Sequence, residues 1–155
     1  MTTRIETLRA LQARIRQSKG ADRELDAEIA ALFLGGEIEC RQANYTMDLH
    51  PVRKYASTMH VGGIGREPVV YYTASLDACV ALMDAVLPGW KWSVADNRYE
   101  PVRGKAFASV QTPTSYDGPA PWPEGWGHND NPCLAFLDAI FSAAIAELEA
   151  RGEAA

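Results

Sequence analysis

The stretch YYTASLDACVALMDAVLPGWKWSV, residues 71–94, decides the reading of this 155-residue chain. Ser75 is placed to N-cap a helix, because its hydroxyl can accept from the unpaired N–H groups of the first turn. Asp77 adds a negative charge near the positive end of the helix dipole. Leu76, Cys79, Val80, Met83, Val86 and Leu87 recur at helical spacing, which predicts one buried face with Asp77, Ala78, Ala81 and Asp84 turned outward. Pro88-Gly89 stops the helix, since Pro88 cannot donate and Gly89 tolerates the turn. Trp90, Trp92 and Val94 then alternate with Lys91, Ser93 and Ala95, the period of a half-buried strand. A capped helix running into an aromatic strand points to an α+β fold. The expected form is an antiparallel sheet with helices packed on it, a helix–sheet–helix sandwich in one domain over residues 1–155.

Upstream, Thr3 and Glu6 have capping-box spacing and predict a first helix, with Ile5, Leu8, Leu11 and Ile15 as a thin apolar stripe. So narrow a stripe suggests a peripheral helix within residues 1–19, docked on the domain or on a second copy, so a homodimer is expected. Asp22 caps a second helix, RELDAEIAALFL, with Leu25, Ile29, Leu32 and Phe33 inward and Gly35-Gly36 as the stop. Residues 38–41 and 55–61 read as short strands, and Gly62-Gly63-Ile64-Gly65-Arg66 as a flexible loop. Downstream, Asp96-Asn97 predicts a tight turn, and residues 99–103 and 105–112 continue an antiparallel meander. Residues 113–131, rich in Pro, Gly and Trp, read as a long irregular segment of the kind that carries function. Asn131 and Pro132 then open a last helix bearing Leu134, Leu137, Ile140, Phe141, Ala144, Ile145 and Leu148, with Gly152 closing it.

Composition narrows the function classes. Fifteen Lys and Arg against twenty Asp and Glu give a net charge of −5, which argues against non-specific nucleic-acid binding. No apolar run is long enough to cross a membrane and MTTRIETLRALQ has no signal-peptide core, so a cytoplasmic setting without a membrane partner is expected. Neither Cys40, Cys79 and Cys133 nor His50, His60 and His128 show metal-ligand spacing. No metal or cofactor is expected, and Cys79 and Cys133 read as buried thiols. The glycines of residues 60–66 match neither the dinucleotide fingerprint nor the P-loop, which favours a hairpin tip over a phosphate cradle. No nucleophile elbow is present, and Asp117, His128 and Asp130 form the cluster that a small hydrolase or transferase would use.

The aromatic residues say more. Trp90, Trp92, Trp122, Trp126, Tyr71, Tyr72 and Tyr99 gather around the predicted sheet and its long segment. Most are expected to be core residues or loop clamps. Exposed rings beside arginines would suit a flat anionic ligand, the ring stacking on a base while guanidinium groups take phosphate. The candidate ligand-binding residues are therefore Arg66, Trp92, Arg98, Arg103, Trp126 and His128, and no residue is assigned a catalytic role.

Three blocks, RELDAEIAALF (residues 23–33), YTASLDACVALMDAVLPGWKWSV (72–94) and GHNDNPCLAFLDAIFSAAIAEL (127–148), together resemble small phage and prophage proteins of the phage ABA-sandwich domain family. The resemblance lies in caps and core faces, so it implies a fold and a bacterial cytoplasmic setting but no catalytic residue. It implies a non-enzymatic accessory protein that antagonises host defence by binding a small anionic, nucleotide-like signal or a host protein. The competing expectation is an inhibitor whose acidic side chains (Asp77, Asp84, Glu147, Glu149) block a host nucleic-acid enzyme.

Overall fold

The computed structural model describes residues 2–34, 37–41, 56–60, 66–68, 70–96, 106–118 and 120–152. Its elements run α1 (Arg4–Gln17), α2 (Arg23–Leu34), β1 (Glu37–Arg41), β2 (Ala56–His60), β3 (Arg66–Pro68), α3 (Leu76–Val86), β4 (Lys91–Asp96), β5 (Ala106–Gln111), β6 (Glu124–Asn129) and α4 (Pro132–Ala150). The fold is α+β. The strands form two antiparallel three-stranded sheets, ordered β1-β2-β3 and β4-β5-β6. α2 packs on β1 and β2, and α4 packs on β4, β5 and β6.

Local chemistry starts each helix where the sequence predicts. Thr3 and Glu6 form a reciprocal capping box on α1, at 2.7 and 3.2 Å. The Asp22 carboxylate accepts from the Leu25 amide at 3.0 Å, and the Ser75 hydroxyl from Ala78 at 3.2 Å. The Asn131 side chain accepts from both Cys133 and Leu134, with Pro132 in the first turn where its missing donor costs nothing. Gly89 and Gly152, at φ +80° and +71°, take the left-handed turns that follow α3 and α4.

α4 is the centre of the structure. Its residues from Cys133 to Ile145 are buried except Ser142, because the β4–β6 sheet covers one side while α1 and α3 pack on others. Each fully buried Leu, Ile or Phe on it contributes about 1.5–3 kcal/mol. The layer order is thus sheet, α4, then α1 with α3. The thin stripe of α1 is covered within the chain: Ile5, Leu8, Leu11 and Ile15 are all buried, with α1 against α4 and α2. α1 therefore belongs to the core rather than the periphery, and the bare stripe behind the homodimer expectation does not exist. Polar ties lock this contact. Gln12 donates to the Asp138 carboxylate at 2.8 Å and to Ser142 at 2.6 Å, while Arg16 bonds both Asp138 oxygens at 3.0 and 3.1 Å. The exposed pairs Arg9–Glu149 and Arg14–Glu28 add little beside it.

The buried face of α3 differs from expectation. It is made of Ala78, Cys79, Leu82, Met83 and Leu87, so Leu82 and Ala78 point inward while Leu76, at 41 %, is exposed. Val80 and Val86, expected on the inner face, are half-buried at its margin. The residues before α3 form a turn in which Ala74 donates to the Tyr71 carbonyl at 3.2 Å.

The largest revision concerns residues 113–131. Residues 124–129, expected to be irregular, form β6, paired with β5 from Glu124↔Gln111 to Asn129↔Ala106. A Cβ at Gly125 would collide with the Ala139 carbonyl oxygen, and one at Gly127 with that of Ala135. The strand lies directly on the Ala135–Ala139–Ala143 ridge of α4, so close that no side chain fits between the backbones. Residues 99–103, the turn at Asn97 and the Gly35-Gly36 stop lie outside the described residues. His60 and Arg66 face each other as the ends of β2 and β3, as a hairpin requires, and residues 61–65 between them lie outside the described residues.

Gly127→Ala should destabilise the protein by more than about 3 kcal/mol, since the obstacle is helix backbone rather than a movable side chain. Gly20→Ala, with open space around it, should shift the denaturation midpoint little. Met83→Asp, which buries an unpaired charge, should cost more than about 4 kcal/mol, whereas exposed Asp84→Ala should be near neutral in the same urea titrations.

Candidate functional site

The β4-β5-β6 sheet has two unlike faces, fixed by strand alternation and register. Toward α4 point Trp92 and Val94 of β4, Ala106, Ala108 and Val110 of β5, and Gly125 and Gly127 of β6. The opposite face carries Lys91, Ser93 and Ala95, then Gln111, Ser109 and Phe107, then Glu124, Trp126 and His128. No described helix packs on this second face, and its residues are exposed or half-buried.

Three rings gather on the open face. Phe107 lies 5.2 Å from Trp126 and 4.9 Å from His128, centroid to centroid, with interplanar angles of 39° and 53°. Trp126 nonetheless leaves 45 % of its surface exposed. Beside the rings lies a floor of small side chains, Ser93, Ser109 and Ala95, with the two serine hydroxyls 2.8 Å apart. Each hydroxyl has one donor and two acceptor positions, so the pair keeps capacity for a further partner. Lys91 stands at one end of the floor, its ammonium held by the Thr114 hydroxyl at 3.1 Å. Flat rings, a shallow polar floor and a cation at its edge make a stacking platform.

Of the residues expected to form a site, Trp126 and His128 come together here. Trp92 does not: it lies on the opposite face, 5.0 Å from the Phe136 ring of α4. Its 43 % exposure reflects its place on β4, at the end of the described strand order, rather than a role on the platform. Arg66 begins β3 in the other sheet, so it belongs to a strand rather than a loop. Arg98 and Arg103 lie outside the described residues. Among the described residues, no hydrogen bond or ion pair joins Asp117, His128 and Asp130, and no group of three metal-ligating side chains occurs. Phe107 and Ser109 were missed by sequence reasoning; the alternation of Phe107, Ser109 and Gln111 with Ala106, Ala108 and Val110 was the available signal.

A second concavity, a groove of about 350 Å³, runs between the ends of α3 and α4. Trp90 and Tyr116 meet edge-to-face in its wall at 5.9 Å, and the Glu147–Arg151 ion pair, 2.6 Å long, sits on its lining. It contains none of the candidate ligand-binding residues, although Glu147 of the competing acidic expectation lines it.

The buried polar groups elsewhere hold structure together. Asp26 of α2, fully buried, accepts from the Thr73 amide at 2.7 Å and pairs with Arg23 at 2.9 Å, tying α2 to the turn before α3. Burial pushes its carboxyl above the usual range, against the opposing pull of the Thr73 and Arg23 hydrogen bonds. Cys79 donates to the Tyr72 carbonyl at 3.0 Å, and burial raises both the Cys79 and Cys133 thiols. A buried, protonated thiol is a poor nucleophile, so these two cysteines fill core as the sequence suggested.

No protein-family model, curated protein or solved structure matches the chain.

Because the folded carboxyl of Asp26 titrates higher than the unfolded one, its contribution to stability is present below the ordinary carboxylate range and lost as pH rises through the folded value. Asp26→Asn keeps an oxygen for the Thr73 amide and cannot ionise. Urea titrations from about pH 4 to pH 7 should show stability falling less with rising pH in the variant than in the wild type.

Proposed function

We propose that this chain is a non-enzymatic binding protein that takes a flat, anionic, nucleotide-like ligand on the open face of the β4-β5-β6 sheet. The observation that carries this reading is the exposed ring cluster of Phe107, Trp126 and His128 beside the Ser93–Ser109 floor. An antiparallel sheet that offers aromatic rings from adjacent strands is a recurrent way to hold unstacked bases. Phe107 backs Trp126 and limits its rotamers, so little side-chain entropy remains to be lost on binding. The setting we propose with it is that of a phage accessory protein in the bacterial cytoplasm, opposing host defence by holding a small signal.

Isothermal titration against a panel of mono- and dinucleotides, together with quenching of tryptophan fluorescence, tests the reading. At least one nucleotide should bind, and Trp126→Ala should weaken it by at least about tenfold, the loss of one stacked base. Trp122→Ala, which removes a ring 52 % exposed that meets Tyr116 at 6.5 Å rather than Phe107 or His128, should leave the affinity unchanged. Heat-free titrations across the whole panel overturn the proposal.

A further inference from the structure

The charges on the open face have an order that bears on which ligand it accepts. This inference rests on the proposed binding reading and names the ligand class. Register places Lys91, Gln111 and Glu124 in one row across the three strands, at the end of the face away from Phe107 and His128. Strand spacing sets Lys91 and Glu124 about 10 Å apart at the backbone, on opposite edges of the sheet. Ser93 lies about 7 Å along β4 from Lys91, roughly the reach of a ribose and its phosphate. A base stacked beside Trp126 over the serine floor would therefore bring its sugar down β4 and its phosphate to Lys91. Thr114 already fixes the ammonium there.

We infer that the platform selects a nucleoside carrying a single phosphate, base toward Phe107 and Trp126 and phosphate toward Lys91, and discriminates against polyphosphates. Among the described residues of this face, Lys91 is the one basic side chain facing the phosphate and Glu124 the one acidic side chain in its row. A second or third phosphate finds no further Lys or Arg among the described residues of this sheet face and comes into the field of Glu124. It also meets the field of a chain whose net charge is −5. One phosphate gains a partner; each added phosphate adds repulsion.

The experiment titrates wild type, Lys91→Ala and Glu124→Lys with adenosine, AMP and ATP, and with the guanine, cytosine and uracil counterparts, at low and high salt. For the base that binds, the monophosphate should exceed the nucleoside and also exceed the triphosphate by about tenfold at low salt. That preference should shrink at about 0.5 M salt, where charge is screened. Lys91→Ala should bring the monophosphate down to the level of the nucleoside. Glu124→Lys should raise triphosphate affinity by about tenfold or more, with circular dichroism confirming that both variants fold. Nucleoside, monophosphate and triphosphate binding alike would overturn the charge-selection inference while leaving the stacking platform in place. A triphosphate preference would overturn it in the same way. If none of these ligands binds while a dinucleotide does, the inference alone falls; if no nucleotide of either panel binds, the proposed function falls with it.

Discussion

The structure depends on one close approach. Gly125 and Gly127 of β6 rest against the backbone of α4 at Ala135, Ala139 and Ala143, where even a methyl group would not fit. Alanines at every fourth position give α4 a flat ridge, and alternate glycines give β6 a matching groove; both are small so that backbones can meet. With the strand seated this tightly, β6 can extend the β4-β5 pair, and Ala106, Ala108 and Val110 of β5 continue the same smooth surface under the helix. The helix is then enclosed by sheet on one side and by α1 and α3 elsewhere, which is why it is buried nearly all round.

The same constraint shapes the surface. A strand of alternating glycines sends its large residues the other way, so Trp126 and His128 stand on the far face of the sheet because Gly125 and Gly127 occupy the near one. Close packing inside and an aromatic platform outside are two results of a single period-two pattern, Glu-Gly-Trp-Gly-His-Asn. Phe107 joins the rings by the same alternation on β5. Polar ties at Asp138 and Asp26 hold α1 and α2 to this frame, and Ser142, bonded by Gln12, donates in turn to the Trp126 carbonyl at 3.4 Å, so the α1–α4 contact is tied to the backbone of β6 as well.

How much was legible beforehand follows from how local each determinant is. The caps at Thr3, Asp22, Ser75 and Asn131 were readable, as were the stops at Gly89 and Gly152, because a cap needs only residues within one turn of itself. Strands β1, β2 and β5 fall where residues 38–41, 55–61 and 105–112 read as strands, and β4 was readable from its alternation. The rotation of the α3 face was not, since Leu76 is apolar and fits the period, yet stands 41 % exposed in the first turn. Of the site, Trp126 and His128 were picked out as exposed aromatic candidates, while Phe107 passed unnoticed among small residues and Trp92 was grouped with them although it faces the helix.

What the sequence alone determined is the set of helices, their ends and the α+β class, all written in hydrogen-bond and periodicity signals that act over a few residues. What only the tertiary structure decided is that Glu124–Asn129 is a strand and which of its faces meets water. Glycine has poor strand propensity, and Gly-Trp-Gly between prolines reads as a loop by any local measure. It becomes a strand because β5 offers it a hydrogen-bonding edge and α4 offers a ridge of alanines that a larger residue could not approach, and neither partner is adjacent to it in the information a local window contains.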